Sequence, residues 1–111
     1  MRTEVIIAAD VVGFHFYPGA PKEVDFLSNE HRHLFRIEAG FLVSHDDREI
    51  EIFIQTEKVM SFLESKYGRP CIFGAMSCEM IAKDIAKEFG ECSWVKVLED
   101  NLGGAIFYVG K

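Results

Sequence analysis

The sequence predicts an α+β domain in which a mostly antiparallel sheet carries two helices packed on one face. Two kinds of pattern support this fold class. Long segments near the N-terminus alternate between apolar and polar residues, as strands do, whereas two later segments repeat apolar residues at helical spacing. The predicted order is three strands, two helices and two strands, with no internal repeat or domain boundary. We therefore expect residues 1–111 to form a single domain.

The first two predicted strands are the longest. Thr3 to Tyr17 is rich in Val, Ile and Phe, and Gly13 within it indicates a bulge or a close backbone approach. Pro18 to Asn29 contains two prolines and predicts a loop. Glu30 to Ser44 then alternates, so that seven residues share one face of a strand: His31, His33, Phe35, Ile37, Ala39, Phe41 and Val43. The charged residues between them point to the opposite face.

A hairpin and a helix are predicted next. A polar turn after Ser44 leads into a third strand at Arg48 to Ile54, which returns beside the second strand. Thr56 is then the expected N-cap of a helix from Glu57 to Tyr67, and Gly68 ends this helix.

The last part of the chain predicts a second helix and a final hairpin. After a short connection at Arg69 to Ala75, Ser77 caps a helix that runs to about Phe89. Two strands follow, at Ser93 to Glu99 and Ala105 to Val109, and a turn that holds two glycines separates them.

Composition and charge exclude several classes of protein. Hydrophobic residues make up 49% of the chain and charged residues 27%, which excludes a disordered chain. The net charge of −6 argues against a nucleic-acid partner. The apolar runs fall short of the roughly 18 residues of a transmembrane helix, and the N-terminus lacks a signal-peptide profile. We expect a cytoplasmic protein with no membrane partner, whose ten Phe residues indicate apolar surface for partner subunits.

The cysteines and one histidine have ordinary structural explanations. Cys71, Cys78 and Cys92 are an odd, widely spaced set that matches neither a disulfide framework nor a CxxC metal site. We expect reduced and mostly buried thiols. His45 lies in a polar turn beside two Asp residues and is expected at the surface.

A His-x-His pair is the most informative chemical signal. Because His31 and His33 are two residues apart in a strand, both imidazoles project to the same side and can reach one ion. Both lie on the apolar face, so each needs a partner, which either a metal ion or hydrogen bonds would supply. Antiparallel pairing of the first two strands would add His15 as a third ligand. Three imidazoles with an open fourth position are typical of catalytic zinc, although nickel, copper or iron would fit.

Two acidic residues have ordinary explanations and also chemical ones. Glu79 follows the N-cap of the second helix, where a carboxylate stabilises the helix dipole. Glu99 ends a strand, and a carboxylate there can also accept two parallel N–H bonds from a guanine-like or pterin-like ring.

Taken in order, several segments resemble the 6-pyruvoyltetrahydropterin synthase and 6-carboxytetrahydropterin synthase superfamily, which is built on the tunnelling fold. Val11 to His15 is similar to the first strand of that family, which ends in a zinc-binding His. His31 to Glu38 resembles its His-Gly-His-aromatic strand. Ser77 to Glu79 resembles the Pro-Thr-Ser/Thr-Glu start of its second helix. Val95 to Glu99 and Gly104 to Tyr108 are similar to its closing hairpin.

The resemblance implies a site and an assembly. It implies zinc as the cofactor, with the ligands His15, His31 and His33. The pterin-like substrate would be anchored by Glu99 and contacted by the Ser77–Cys78–Glu79 turn through backbone N–H groups. The family forms trimers that stack into hexamers with sites between subunits, so the resemblance implies a homo-oligomeric barrel.

The sequence departs from the family at two places that bear on catalysis. Where the family carries a Cys shortly before the two histidines, this chain has Asp25, Phe26 and Leu27. The Asp-His pair of the family falls at Arg69 to Ala75, which contains neither residue. Some members replace the Cys with a nearby Glu, so Glu30 or Asp25 is the candidate catalytic base.

Three functions remain open from the sequence. The first is a zinc-dependent lyase or isomerase of the 6-pyruvoyltetrahydropterin synthase type, acting on a dihydroneopterin-like substrate. The second is a catalytically degenerate member of the same fold that binds a pterin, a purine or only zinc. The third is a cupin-type metal barrel, because His31-x-His33-x4-Glu38 loosely matches the first motif of that class. Strand parity opposes the third, because it puts Glu38 on the face opposite the histidines.

Overall fold

In the computed structural model, which describes residues 1–110, the chain forms an α+β domain with one mixed sheet. Its strands are β1 (Thr3–His15), β2 (His31–Val43), β3 (Cys71–Gly74), β4 (Cys92–Glu99) and β5 (Gly103–Tyr108). Its α-helices are α1 (Ile52–Tyr67) and α2 (Cys78–Glu88). A 3₁₀-helix spans Lys22–Ser28, inside the segment predicted as a loop.

The sheet has the strand order β3-β1-β2-β4-β5. β1 and β2 form a long antiparallel ribbon, β4 pairs antiparallel with the other side of β2, and β5 completes a hairpin with β4. β3 is short and runs parallel to β1, beside Gly13, Phe14 and His15 only. Within residues 1–110, the rest of β1 from Thr3 to Val12 therefore has no strand partner on the side away from β2.

The core lies between the helices and one face of the sheet. The alternation predicted for β2 is confirmed, because Phe35, Ile37 and Phe41 have no exposed side-chain surface. The helices close this core with their apolar faces, formed by Val59 and Leu63 of α1 and by Ile81, Ala82, Ile85 and Ala86 of α2. Burial of each large apolar side chain contributes about 1.5–3 kcal/mol. Packing of these residues therefore fixes the face on which the histidines of β2 lie.

The ends of the helices agree in part with the predictions. The hydroxyl of Ser77 accepts a hydrogen bond from the Met80 N–H at 3.2 Å, which makes Ser77 the N-cap of α2 as predicted. Gly68 ends α1, and its φ of 91° is a conformation that glycine adopts readily. Within residues 1–110, no helix combines the length and apolar character that crossing a membrane requires.

The prediction of a strand at Arg48 to Ile54 is wrong. The chain bends there without pairing as a strand, and α1 begins already at Ile52. Glu51 rather than Thr56 caps the helix, because its carboxylate accepts a hydrogen bond from the Ile54 N–H at 3.0 Å. The alternation of this segment was misleading, since its apolar side chains are exposed in the first helical turn instead of facing a sheet.

Two further predicted boundaries are corrected. The predicted connection at Arg69 to Ala75 contains β3, so the sheet is mixed and not wholly antiparallel. The turn of the last hairpin is formed by residues 100–102, and the glycines predicted for it, Gly103 and Gly104, begin β5. The first difference arises from pairing between distant segments, which local patterns do not reveal. In the second, Gly103 and Gly104 pair with Glu99 and Leu98 across a tight hairpin.

Gly13 confirms the predicted close approach. A Cβ atom at this position would lie 2.7 Å from the ring of Phe73 and 2.9 Å from the ring of Phe35. The register of β1 against β3 also shifts between Phe14 and His15. The space left by Gly13 lets Phe35 lie edge-on to His15, with ring centroids 5.2 Å apart. Gly13 thus allows the Phe35 ring to pack directly beneath His15.

Candidate metal centre

Three histidines converge at one end of the β1–β2 ribbon. His15 is the last residue of β1, and the antiparallel register places it opposite His31, at the start of β2. His33 lies two residues further along β2, on the same face. One ligand nitrogen from each ring lies within 4.8 Å of those of the other two. The ligand set named from the sequence is therefore a group that could hold a metal ion.

The ring tautomers are set by oxygen acceptors behind each histidine. Each Nδ1 faces one oxygen: the Met76 carbonyl at 2.9 Å from His15, the Asn29 carbonyl at 2.9 Å from His31, and the Asp100 carboxylate at 2.7 Å from His33. Because these oxygens only accept, Nδ1 carries the proton and donates in every case. The neutral rings therefore present the lone pairs of their Nε2 atoms.

Two of these Nε2 atoms lack a satisfying partner. Those of His15 and His33 are buried and find no hydrogen-bond partner within residues 1–110. An unpaired buried polar atom costs about 1–3 kcal/mol. Coordination of a cation would satisfy both atoms at once, so the donor set fits a metal ion that prefers nitrogen ligands.

Asp100 is a residue of the site for which the sequence predicts no role. It lies in the turn after β4 with a φ of 54°, and Asn101 follows with a φ of 59°, conformations that Asp and Asn tolerate. One carboxylate oxygen of Asp100 accepts from His33, and the other accepts from the Leu34 backbone N–H at 2.9 Å. The Asp-Asn pair after a strand is the signal for such a turn, but its contact with His33 depends on the β2–β4 register.

The Glu99 carboxylate faces the same nitrogens. Its Oε2 atom lies 3.2 Å from Nε2 of His15, and its Oε1 atom lies 3.4 Å from Nε2 of His33. The thiol of Cys78 donates to Oε2 at a sulfur–oxygen distance of 3.5 Å. The interaction with His15 lowers the pKa of Glu99, and the same interaction raises the pKa of His15 above its usual value. The contact between Glu99 and His15 is thus attractive only when Nε2 of His15 carries a proton or when a cation lies between the two atoms.

A cleft of about 560 Å³ opens beside the cluster. Its lining brings together His15 and His31 with all the residues expected to contact a substrate, namely Ser77, Cys78, Glu79 and Glu99. Gly103 and Gly104 of β5 form part of the wall, so backbone atoms border the cleft there without side chains. The segments that sequence reasoning grouped are adjacent in space.

The two candidate bases lie apart from this cluster. Asp25 and Glu30 are exposed, and neither belongs to the residues that line the cleft. Glu30 directly precedes His31 in the chain. Their role as a base therefore stays a prediction, and the cleft as described contains neither carboxylate.

The thiols and the fourth histidine behave as the sequence predicts. All three cysteines are free and buried. Burial, followed by the nearby Glu99 carboxylate, raises the pKa of Cys78 to about 12, so it is a neutral thiol at physiological pH. His45 is at the surface, with 57% of its side chain exposed.

Glu38 lies on the opposite face of β2 from the histidines. Its carboxylate is 3.0 Å from Nε of Arg36 and 3.4 Å from Nζ of Lys96. A cupin site would need this carboxylate beside His31 and His33, so the parity that opposed a cupin motif is confirmed. The sheet is also a single open layer with two α-helices on one face.

No protein-family model matches the chain, and no curated protein matches it either. The fold and the site together define an α+β domain with a candidate three-histidine metal centre beside a cleft. The functional interpretation depends on the residues of this centre.

Proposed function

We propose that this chain is a zinc-binding protein that binds a pterin-like substrate in the cleft beside His15, His31 and His33. One observation carries the proposal: three histidines, each with an oxygen acceptor at Nδ1, bring one ligand nitrogen apiece within 4.8 Å of the other two. Zinc is favoured because three neutral imidazoles are its characteristic ligand set in catalytic sites. When bound, zinc would act as a Lewis acid toward a hydroxyl or carbonyl oxygen of the substrate.

The shape and lining of the cleft support a small heterocyclic ligand. A volume of about 560 Å³ falls within the usual range for small-molecule sites. Tyr17, Leu27 and Met76 provide apolar surface, while Glu99 provides a carboxylate that can accept two N–H bonds from a ring. These features, with the resemblance of the sequence, support a tunnelling-fold protein of the 6-pyruvoyltetrahydropterin synthase superfamily.

Two activities fit this site. The first is a lyase or isomerase reaction on a dihydroneopterin-like substrate, for which Glu30 or Asp25 would supply the base. The second is binding without turnover, as a degenerate member of the family. The exposed positions of both carboxylates outside the cleft favour the second, and so does the raised pKa of Cys78, which keeps a thiolate from replacing them.

The metal is tested by elemental analysis of protein purified without chelators. We expect about one zinc per chain in the wild type and its loss in the His31→Ala/His33→Ala double variant. His45→Ala is the matched control, because it removes an imidazole that lies at the surface. Absence of metal from the wild type, even after reconstitution with zinc, would overturn the proposal.

The substrate class is tested with zinc-loaded protein and dihydroneopterin. Calorimetry measures binding, and chromatography of the reaction mixture measures turnover. Binding without product supports the degenerate reading, and product that disappears in Glu30→Gln or Asp25→Asn supports the enzyme. Zinc-loaded protein that binds no pterin contradicts the pterin part of the proposal and leaves the metal part standing.

We also propose that the chain assembles into a homo-oligomeric barrel. The free edge of β1 from Thr3 to Val12 offers backbone groups to another strand. The outer face of the sheet exposes apolar side chains, including Ile6, Leu42 and Tyr108. Analytical ultracentrifugation is expected to give a trimer or hexamer, and a monomer at high protein concentration would contradict this assembly.

A further inference from the structure

The position of Glu99 is unusual for a residue that only anchors a substrate. It pairs with Phe35 in the β2–β4 register and therefore lies on the face that carries His33. Both of its oxygens are directed inward, one toward His15 and one toward His33, at 3.2 and 3.4 Å. The carboxylate thus contacts two of the three histidines that could hold a metal ion.

In these contacts, lone pairs of the Glu99 oxygens face lone pairs of the histidine Nε2 atoms. Nε2 of His15 and of His33 carry no proton when Nδ1 donates to Met76 and Asp100, and an ionised carboxylate has no proton to give. Electron-rich atoms at such distances repel each other unless a cation lies between them. A metal ion would turn the repulsion into coordination.

The distances match those between ligands of one tetrahedral ion. With zinc–nitrogen and zinc–oxygen bonds of about 2.0–2.1 Å, two ligands on a tetrahedron are about 3.3–3.4 Å apart. The separations of Glu99 from His15 and His33 are 3.2 and 3.4 Å. Each oxygen thus lies at a ligand-to-ligand distance from one nitrogen, Oε2 from His15 and Oε1 from His33, so the carboxylate borders the ion position and can reach it with either oxygen.

We propose that Glu99 is the fourth ligand of the metal ion in the ligand-free protein, and that it closes the coordination sphere. This inference rests on the metal site proposed above. The thiol of Cys78 holds Oε2 from behind at 3.5 Å, and Asp100, the next residue in the chain, holds His33. The end of β4 therefore contributes one ligand and orients another.

A closed site couples substrate binding to the metal. With a metal ion bound, a substrate oxygen would gain the fourth position only if the Glu99 carboxylate gave it up. A ring with two neighbouring N–H donors would draw the carboxylate away through two charge-assisted hydrogen bonds. The Glu99 carboxylate would then move from the metal ion to the ring. The same movement would anchor the ring and open the fourth position.

Cobalt(II) substitution tests the fourth ligand directly. The wild type, Glu99→Gln and the control Glu91→Gln are loaded with Co²⁺, and metal affinity is measured by competition with a chelator. Glu91 is an exposed acid just before β4, so its substitution removes the same charge away from the site. We expect Glu99→Gln to bind Co²⁺ at least about tenfold more weakly, with a changed visible absorption band, and Glu91→Gln to match the wild type.

The outcomes separate the two proposals. A wild type that binds no Co²⁺ or zinc overturns the metal site and the fourth ligand together. Equal affinities and identical absorption bands in the wild type and Glu99→Gln overturn the fourth ligand alone. If Glu99→Gln does not fold, Glu99→Asp serves in its place, because it keeps the charge and shortens the reach. We then expect weaker binding and a shifted band, and unchanged values overturn the inference.

Discussion

Asp100 shows how a single side chain can serve two backbone segments of the site. The hydrogen bond from the Leu34 backbone amide, with that from His33, holds the pKa of Asp100 below its usual range. The residue is therefore a carboxylate at neutral pH, and both of its oxygens are in use. This arrangement orients the His33 ring and joins the turn after β4 to β2.

Asp100→Asn is expected to weaken metal binding about tenfold, the scale of losses seen when a partner behind a ligand is removed. Asn offers one acceptor oxygen where His33 and Leu34 use two, but it tolerates the φ of 54° and preserves the turn. Competition with a chelator measures the affinity. Asn101→Gly, in the same turn, is the control, and equal affinities in wild type and Asp100→Asn would contradict the role given to Asp100.

The buried thiols are expected to be unreactive in the folded protein. Burial raises the pKa of Cys71 to about 11 and that of Cys78 to about 12. At pH 8 only about one Cys71 molecule in a thousand is then a thiolate, the reactive form. Ellman's reagent should titrate three thiols in guanidinium chloride and react only slowly with native protein. A thiol that reacts in the native protein as fast as free cysteine would be evidence against this burial.

The sequence predicts the three converging histidines better than the oxygen atoms that face their Nδ1 atoms. Parity alone places His31 and His33 together, and one antiparallel pairing adds His15. The acceptors of their Nδ1 protons cannot be predicted in this way. Two of them are backbone carbonyls, and every residue has a backbone carbonyl. Which carbonyl meets which ring depends on loop conformation and strand register, and neither leaves a pattern in the residues.

At the scale of elements, β2 and the start of α1 show what alternation can and cannot predict. Alternation in β2 extends over a strand of 13 residues and determines which face of the strand is buried. The segment Arg48 to Ile54 alternates over a shorter span, and Glu51 within it caps α1, which therefore begins at Ile52. The four-residue strand β3 has too few residues for any period, so its insertion beside β1 follows from packing alone.

Gly13→Ala is expected to lower the free energy of unfolding by about 1–3 kcal/mol, because the added methyl group overpacks the core. It would meet the rings of Phe73 and Phe35 at 2.7 and 2.9 Å, and Phe35 has no free surface into which to move. Urea denaturation measures the change. Gly90→Ala is the matched control, since a Cβ there meets no atom within 4 Å. Equal losses in both variants would contradict the close approach at Gly13.

A polar clamp joins the end of α1 to the middle of α2. Lys66 donates to both oxygens of Asp84 at 2.9 Å, and the Tyr67 hydroxyl donates to one of them. Burial by itself would raise the pKa of Asp84, but the hydrogen bonds from Tyr67 and Lys66 outweigh it and lower the pKa. The clamp therefore stabilises the fold in the ionised state.

Asp84→Asn is expected to destabilise the protein by about 1 kcal/mol at pH 7, a modest value because the Lys66 pair is partly screened by solvent. Because the pKa of Asp84 is lower in the native than in the unfolded protein, its carboxylate stabilises the fold at pH values above the unfolded pKa. This stabilisation is lost as the pH falls through the native pKa. The difference between wild type and variant should therefore vanish in acid. Chemical denaturation from pH 7 down to pH 2 measures it, with Asp46→Asn as control. A difference independent of pH would contradict the clamp.

At the scale of the whole molecule, the metal would act as a ligand of the native state. The three histidines come from both ends of a loop between β1 and β2, so an ion closes this loop only in the folded chain. Free zinc at a hundred times its dissociation constant should raise the free energy of unfolding by about 2.7 kcal/mol. Thermal unfolding with and without zinc measures the shift. The His31→Ala/His33→Ala variant should show none, and an equal shift there would contradict the site.

The fold class is predictable from the sequence, but the topology is less so. The first two strands, the final hairpin and both helices leave local signals, and the helices cover one face of the sheet as expected. The mixed sheet arises because the chain crosses from β2 through α1 to a strand beside β1. Contacts between such distant segments are selected by packing, which a local pattern cannot express.

The one-sided pairing of β1 from Thr3 to Val12 has a consequence for amide hydrogen exchange. In a strand with a neighbour on one side only, successive N–H groups point alternately toward the neighbour and toward solvent. Exchange rates along this stretch should therefore alternate between slow and fast, residue by residue, in an isolated chain. Slow exchange at every position would instead be the signature of a second chain that lies along the edge.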